Sequence, residues 1–489
     1  MLNRNKFRQW IALFFVLFVF IVIPFYYQND YYDMLQAKSA AAHFSLCILL
    51  PIAFVLVLLP KHPLEEQISL DTTLCQLDRV VLLFAFEILI CCLCSDQIWK
   101  AFSGTRGWGV GGFLIIGLIG AYFIVSRWLH YSQNIWLPIL MSNAIIFMIG
   151  ILHSAGIDAL SLHEGIMPDL YYLYISTTGN LNWYAGYLTL LVPVIVCFYL
   201  LADEVYSERI YLTFLVLAFF NIVLCASDGL YLGLGVCAFF AFPFIFANWK
   251  RTEKIGLLLM LFGIVLLIVH YLPIFQDKIE MMGGISKSIL HPVIAISIFL
   301  VGSAFKIGNV LHEQKKHKNR SLYWLCWIFE LGLIIVSVTF LINTILTFND
   351  SWGTERGLIW RSSLEIYGNF SWKDKLIGIG PELLIDYYTE LSIYFSRILI
   401  SAHSEPLQIL LTSGLLGLLC WCGIWGVIFE SYFQKKIWKS DSFPFFLSLA
   451  AYFGQSLVNG PQAMNVCILC VIMALFRKME WEQKSNSSV

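Results

Sequence analysis

Residues 11–23 read Ile-Ala-Leu-Phe-Phe-Val-Leu-Phe-Val-Phe-Ile-Val-Ile, a stretch without a polar side chain. With its flanks it extends an apolar run over about residues 9–27. A helix of that length crosses a hydrocarbon core of roughly 30 Å. The run ends in Pro24-Phe25-Tyr26-Tyr27 and has no small-residue cleavage site, so the pattern predicts a retained membrane helix and not a signal peptide.

Such runs recur along the chain, of whose 489 residues 59% are hydrophobic and only 13% charged, with a mean hydropathy of +0.75. The pattern predicts an all-α fold, a polytopic helical bundle of about 12–14 transmembrane helices forming a single membrane domain over residues 1–489. The expected spans are 9–27, 43–60, 80–95, 108–126, 136–154, 183–201, 210–226, 230–248, 255–274, 291–308, 322–344, 405–430, 442–458 and 464–476.

The positive charges indicate how the bundle is oriented. If the N-terminus is cytoplasmic, most of the 31 Lys and Arg residues fall on cytoplasmic segments, as the positive-inside rule requires. We therefore expect both termini in the cytoplasm and a multi-pass protein of the cytoplasmic membrane. The 13 cysteines lie almost wholly within predicted spans, so we expect them not to form disulfides.

One polar segment, residues 345–404, interrupts the apolar pattern and is expected to be a large extracytoplasmic loop. It ends in Ser401-Ala402-His403-Ser404, followed by Glu405-Pro406. Helical spacing over 355–368, and a proline suited to a first helical position at 381, predict two short helices on the membrane surface. The chain has no Walker A loop, no dinucleotide-binding glycine fingerprint and no His-x-x-x-His pair, so we predict neither cofactor nor metal site and no nucleic-acid partner.

The polar motifs, taken in order, resemble those of the O-antigen ligase and O-antigen polymerase superfamily of bacterial envelope glycan enzymes. The resemblance spans about residues 100–430, with Ser404 standing where the family has Asn. The matching elements are Gly179-Asn180-Leu181-Asn182 with Ala185-Gly186, Ser227-Asp228-Gly229, Arg356 followed by Trp360, Gly378-Ile379-Gly380-Pro381, Ala402-His403-Ser404-Glu405 and Gly414-Leu415-Leu416-Gly417.

The resemblance implies an enzyme that moves or polymerises a glycan from a polyprenyl-diphosphate donor onto an acceptor hydroxyl at the outer face of the cytoplasmic membrane. It implies a glycan or lipid-glycan acceptor and membrane lipid as the other partners. It implies His403 and Arg356 as catalytic residues. His403 suits a proton acceptor because imidazole exchanges protons near neutral pH. The arginines suit a diphosphate because a guanidinium binds phosphate oxygens in pairs and stays charged. The substrate-binding residues that we expect are Arg106, Arg361, Asn180, Asn182 and Glu405.

The two arginines of the polar loop differ in how strongly the sequence indicates a functional role. Arg356 and Arg361 are five residues apart, about 140° around a helix, so one straight helix cannot direct both at one point. Arg361 has Glu365 four residues later, the spacing of an ordinary surface ion pair. Arg356 has Trp360 there and is the stronger functional candidate.

The mechanism expected from these residues is metal-independent and inverting, with His403 taking the acceptor proton. Two other classes of protein stay open. A transporter of polysaccharide or lipid-linked oligosaccharide would show paired broken helices and internal repeats, and no motif is repeated between the two halves of this chain. A sensor or scaffold without catalysis would make the arginines and the histidine replaceable. The sequence does not separate a ligase from a polymerase.

Overall fold

The computed structural model describes residues 4–59, 74–105, 109–315, 347–394, 399–435, 437 and 440–487. We number the helices in this part of the chain in order. They are α1 (Arg4–Leu17), α2 (Ile23–Phe25), α3 (Met34–Leu58), α4 (Gln76–Cys94), α5 (Ile98–Ser103), α6 (Gly112–Trp128), α7 (Trp136–Ser154), α8 (Leu181–Leu201), α9 (Val205–Leu224), α10 (Asp228–Phe246), α11 (Trp249–Tyr271), α12 (Gln276–Glu280), α13 (Gly284–Ile289), α14 (Pro292–Lys315), α15 (Trp352–Asn369), α16 (Trp372–Ile377), α17 (Leu384–Tyr387), α18 (Thr389–Tyr394), α19 (Glu405–Lys435), α20 (Phe443–Ser456) and α21 (Ala463–Ser487).

Short irregular turns and one hairpin complete the described elements. A π-helical turn, Phe18–Val22, joins α1 to α2. The two strands of the hairpin, β1 (Tyr174–Ile175) and β2 (Gly179–Asn180), pair antiparallel just before α8. The 3-10 turns are Gln133–Ile135, Pro168–Leu173 and Pro273–Phe275.

Membrane-spanning length is common among these helices. Within the described ranges, eight helices are long and apolar enough to cross a membrane: Arg4–Phe25, Met34–Leu58, Gln133–Ser154, Leu181–Leu201, Val205–Leu224, Asp228–Phe246, Trp249–Tyr271 and Glu405–Gln434. Every predicted span overlaps a described helix except 322–344, which lies outside the described residues. The prediction of an all-α polytopic membrane protein is confirmed.

The chain divides into two compact units. Unit 1 is drawn from Met1–Ser142, Asn349–Ser442 and Ser456–Val489, and unit 2 from Asn143–Phe348 and Phe443–Gln455. The catalytic candidates of the polar loop therefore belong to unit 1, and the Gly179–Asn182 motif belongs to unit 2. The expected single domain over residues 1–489 stays a prediction.

A buried ionic cluster joins three helices of unit 1. The Asp78 carboxylate on α4 is fully buried, 3.1 Å from a guanidinium nitrogen of both Arg127 on α6 and Arg477 on α21. Its other oxygen accepts a hydrogen bond of 2.8 Å from the Tyr122 hydroxyl. With its charge paired and its lone pairs used, Asp78 fixes the three helices to one another.

In unit 2, helices α11 and α14 pack closely against each other, and small residues make this approach possible. A Cβ added to Gly256 would lie 2.7 Å from the Gly302 carbonyl oxygen, and one added to Gly263 would lie 2.8 Å from that of Ala295. Glycines at such contacts let helix backbones pack directly, as is common in membrane bundles.

The polar loop differs from its prediction after residue 369. The expected helix over 355–368 is present as α15. The helix expected to begin at Pro381 is wrong: residues 381–383 form a turn, and the short helices α17 and α18 follow it. The reason is backbone conformation, since Gly380 and Glu382 have φ of 118° and 60°, values that an α-helix cannot contain.

Candidate active site

Arg356 lies at the start of α15, directly after a left-handed stretch of backbone. Gly353, Thr354 and Glu355 have φ of 60°, 59° and 68°, which interrupt the helix and turn the chain back on itself. This turn lets the Arg356 guanidinium donate to the Gly353 carbonyl oxygen at 2.9 Å. Its other terminal nitrogen donates to Oδ1 of Asn459 at 3.3 Å. The arginine is thus held in one orientation by two separate segments.

The turn that carries His403 is also strained and held from both sides. His403 has φ of 50°, an uncommon value for a residue other than glycine and one that recurs at functional sites. Its N–H donates to the Ser401 hydroxyl at 3.1 Å. The N–H of Ala402 donates to Oε1 of Gln408, on α19, at 2.8 Å.

One hydrogen bond connects the arginine helix to the histidine turn. The indole N–H of Trp360, one helical turn after Arg356, donates to the Ala402 carbonyl oxygen at 3.0 Å. Buried tryptophans require a partner for this N–H, and here the partner is the residue next to His403. The two catalytic candidates of the sequence are therefore brought onto adjoining backbone.

A third segment of unit 1, residues 457–462 between α20 and α21, completes the cluster. A Cβ added to Gly460 would overlap the Ser401 hydroxyl, so this position accepts no larger residue while the loop touches the histidine turn. Asn459, beside it, receives the Arg356 bond. Sequence reasoning missed this loop. Its signal was the polar run Asn459-Gly460-Pro461-Gln462 between two apolar helices.

The glycine motifs of the loop and of α19 are packing partners. Gly414 has φ of 64° and kinks α19, which releases backbone carbonyls that a regular helix would use. The freed carbonyl oxygens of Leu411 and Thr412 accept the N–H groups of Ile379 and Gly380 at 3.4 and 2.9 Å. The Gly378–Pro381 turn is thereby fixed on the helix that begins at Glu405.

Glu382 connects that turn to the segment around Arg106. Its carboxylate oxygens accept the backbone N–H groups of Thr105 and Val110, and the Thr105 hydroxyl donates to the Glu382 carbonyl oxygen at 3.0 Å. Arg106 itself lies outside the described residues. Its described neighbours on both sides are held by this one side chain, which is 6% exposed. Burial raises the pKa of the Glu382 carboxyl to about 7, against the lowering effect of the N–H donors.

The raised pKa of Glu382 gives a measurable pH dependence. The pKa of Glu382 is higher in the folded protein than in the unfolded chain, so at pH values between the two the folded state holds a proton that the unfolded state has lost. Stability therefore falls as pH rises through about 7. Glu382→Gln removes this titration. The measurement is the unfolding free energy of both proteins in detergent. Between pH 5 and pH 8, the unfolding free energy of the variant is expected to rise by about 2 to 3 kcal/mol relative to that of the wild type. If the unfolding free energy of the wild type instead rose relative to that of the variant over this range, the raised pKa of Glu382 would be contradicted.

An apolar cavity of about 180 Å³ lies next to the cluster in unit 1. Its walls come from α4, α6, α19 and α21, and include Phe84, Leu118, Ile409, Trp425 and Leu469. The few polar groups lining it include Glu382, Glu405 and Gln408, residues that adjoin the segments described above. The cavity is suited to an apolar chain whose polar end lies at the histidine turn.

The remaining loop candidates have identifiable partners. Glu405 is buried and accepts the indole N–H of Trp421 at 3.0 Å, which ties it to its own helix. Arg361 is exposed, 2.6 Å from an Asp350 oxygen and 4.0 Å from one of Glu365. Its charge is engaged in surface ion pairs, the weaker of which is the pair expected from sequence spacing.

The candidates of unit 2, Asn180 and Asn182, make structural hydrogen bonds. The Asn180 side chain caps α8 by accepting the N–H of Asn182 at 2.9 Å. Oδ1 of Asn182 accepts from the Ser227 hydroxyl at 2.9 Å, and its carbonyl oxygen accepts from Gln455 at 3.2 Å. The motif residues Asn182 and Ser227 are therefore direct partners.

One group of metal-ligating side chains occurs in the described ranges, His153, Asp158 and His163, with candidate atoms within 4.8 Å of one another. Nδ1 of His153 accepts the N–H of Ser176 at 3.1 Å, so the proton of a neutral ring is on Nε2, which lies 3.1 Å from Asp158. That nitrogen then has no lone pair for a metal. We interpret the group as a polar contact between His153 at the end of α7 and Asp158 in the following loop, where Asp158 also accepts from Nδ1 of His163 at 3.1 Å.

Fold and site together define a polytopic helical membrane protein with an arginine, a histidine and carboxylates beside an apolar cavity. Residues 213–422 match the family model described as O-Antigen ligase, so this part of the chain is similar to that family. The match supports a membrane function in glycan ligation or polymerisation. It includes Arg356 and His403, but neither Asn182 nor Asn459. Comparisons with curated proteins and with solved structures gave no match.

Proposed function

We propose that the protein transfers a glycan from a polyprenyl-diphosphate donor onto an acceptor hydroxyl at the outer face of the cytoplasmic membrane. The observation that carries the proposal is the Trp360–Ala402 hydrogen bond of 3.0 Å, which joins the helix of Arg356 to the turn of His403. A cation suited to a diphosphate and a base suited to a hydroxyl thus lie on adjoining segments. The apolar cavity beside them suits an isoprenoid chain.

The donor diphosphate is assigned to the arginines. Arg356 is directed by its bonds to Gly353 and Asn459, and a guanidinium gives charge-assisted hydrogen bonds to phosphate oxygens. We assign Arg106 a second contact, because Glu382 fixes the residues that flank it. Arg361 has the smallest part, since Asp350 already occupies its guanidinium.

His403 is assigned the role of general base. The acceptor oxygen attacks the anomeric carbon, its proton passes to the imidazole, and the bond from that carbon to the diphosphate oxygen breaks. Polyprenyl diphosphate leaves with the bonding electron pair, and the arginines stabilise its growing negative charge. Direct displacement of this kind inverts the anomeric configuration. Glu405, at the start of the next helix, completes the polar wall of the site.

A transfer assay with the purified full chain in lipid nanodiscs tests the proposal. With one defined lipid-linked oligosaccharide and a glycan acceptor, we expect a product of added mass with inverted linkage, and the same rate in EDTA because arginines supply the positive charge. Movement of the donor across liposomes without bond exchange would instead indicate a transporter. Activity lost in EDTA and restored by a divalent ion would contradict the assignment of the diphosphate to arginines.

A further inference from the structure

The loop between α20 and α21 holds a buried hydrogen-bond donor that has no acceptor in the part of the chain that the structure describes. Asn459 is 3% exposed, and its Oδ1 accepts from Arg356. A guanidinium has donors only, so the oxygen of the amide must face Arg356, and this fixes the orientation of the amide group. Its Nδ2 is buried and has no hydrogen-bond partner among the described residues. Leaving such a group unsatisfied destabilises the folded protein.

Gln462, three residues further along the same loop, repeats the pattern. It is 1% exposed, and its Oε1 accepts the backbone N–H of Asn465 at 3.2 Å, the first turn of α21. A backbone N–H is again a donor only, so Nε2 is the other end of the amide, and within the described ranges it too is buried without a partner. Buried polar groups are satisfied in the great majority of cases, so two orphaned donors in one short loop point to an absent acceptor.

We propose that Asn459, with Gln462 behind it, binds an oxygen of the donor diphosphate together with Arg356. The inference rests on the proposed function and adds a binding residue to it. An anionic oxygen is the acceptor that fits, since the orphaned amide adjoins a guanidinium. One phosphate group then accepts a charge-assisted bond from Arg356 and a second bond from the Asn459 amide, and both stabilise the leaving diphosphate.

The position of the loop supports this assignment. Gly460 brings it against the Ser401 hydroxyl, and that hydroxyl accepts the N–H of His403. Pro461 lines the apolar cavity. A diphosphate at the polar end of that cavity thus has the Asn459 loop on one side and the histidine turn on the other.

Binding of inorganic diphosphate to the full chain in nanodiscs tests the proposal, with sulfate as the comparison anion. Asn459→Ala is expected to lower diphosphate affinity about tenfold or more, and Asn459→Asp about 100-fold, because it replaces the donor with a negative oxygen. Asn369→Asp, the same change at an exposed position of the polar loop, is the matched control and should leave affinity unchanged. Gln462→Met is the second variant, expected to lower affinity severalfold should the Asn459 variants fail to insert.

The outcomes separate this inference from the proposed function. If the wild type transfers glycan and Asn459→Ala and Gln462→Met bind diphosphate as the wild type does, Asn459 is only a packing residue and the inference fails alone. If the wild type neither binds diphosphate nor transfers glycan, both fail together. A lower thermal stability without a change in affinity or in KM for the donor would also overturn the assignment.

Discussion

Replacement of His403 by alanine is expected to reduce glycan transfer by about 10²- to 10⁴-fold, the usual contribution of a positioned general base. Donor binding should stay near that of the wild type, because the base acts on the acceptor proton and not on the diphosphate. The measurements are transfer rate at saturating donor and donor affinity, both at matched insertion levels. His130→Ala, the same change at an exposed position of unit 1, should have no effect on either.

The backbone of His403 offers a sharper control. Its φ of 50° means that part of any loss in His403→Ala comes from strain in the turn. Asparagine tolerates this region of φ far better than alanine. If His403 serves as the base, His403→Asn stays inactive although the turn is preserved. Activity recovered in His403→Asn would show that the position matters only for its backbone.

Replacement of Arg356 by alanine is expected to weaken both steps that involve the diphosphate. Loss of a charge-assisted hydrogen bond lowers donor affinity about 10- to 100-fold. Turnover should fall a further 10²-fold or so, because the bond strengthens as negative charge develops on the leaving group. Arg356→Lys should recover part of the affinity but little of the turnover, since an ammonium does not reproduce the planar fork.

Arg361→Ala is the matched control for Arg356. Arg361 is on the same helix and is exposed, and its ion pair with Asp350 is of a kind worth about 1 kcal/mol or less. Its loss should change transfer by less than about fivefold. Donor affinity equal to the wild type in Arg356→Ala, or a larger defect in Arg361→Ala, would show that the diphosphate lies elsewhere.

The fold was predictable because a membrane-spanning chain must have long apolar segments, and these are visible in the amino-acid sequence. A chain crossing hydrocarbon satisfies its backbone hydrogen bonds inside each helix, so long apolar runs alone predict the helices. Helix α15 was predictable from the spacing of its apolar residues. The turn at Pro381 was not, because the φ of 60° at Glu382 accompanies a long-range contact in which its carboxylate accepts the N–H groups of Thr105 and Val110. No local pattern contains that long-range contact.

The candidate site was predictable in part, because polar residues stand out in a mostly apolar sequence. Arg356 and His403 stood out as polar residues in a loop that an apolar protein would not otherwise contain. Asn459 did not, since its interest comes from facing a guanidinium 103 positions away in the chain. Asn180 was given a ligand-binding role although a helix cap already uses its side chain. Sequence shows which polar groups exist, whereas the structure shows which of them are already satisfied.

The contact of Gly460 with Ser401 also has a consequence for biogenesis. A ribosome completes the arginine helix and the histidine turn more than fifty residues before it reaches Gly460. The loop that touches the histidine turn is therefore added only as α20 and α21 are inserted. A nascent chain arrested before that point carries Arg356 and His403 without the surface that orients them. Under the proposed function, a chain arrested before that point is therefore expected to transfer no glycan.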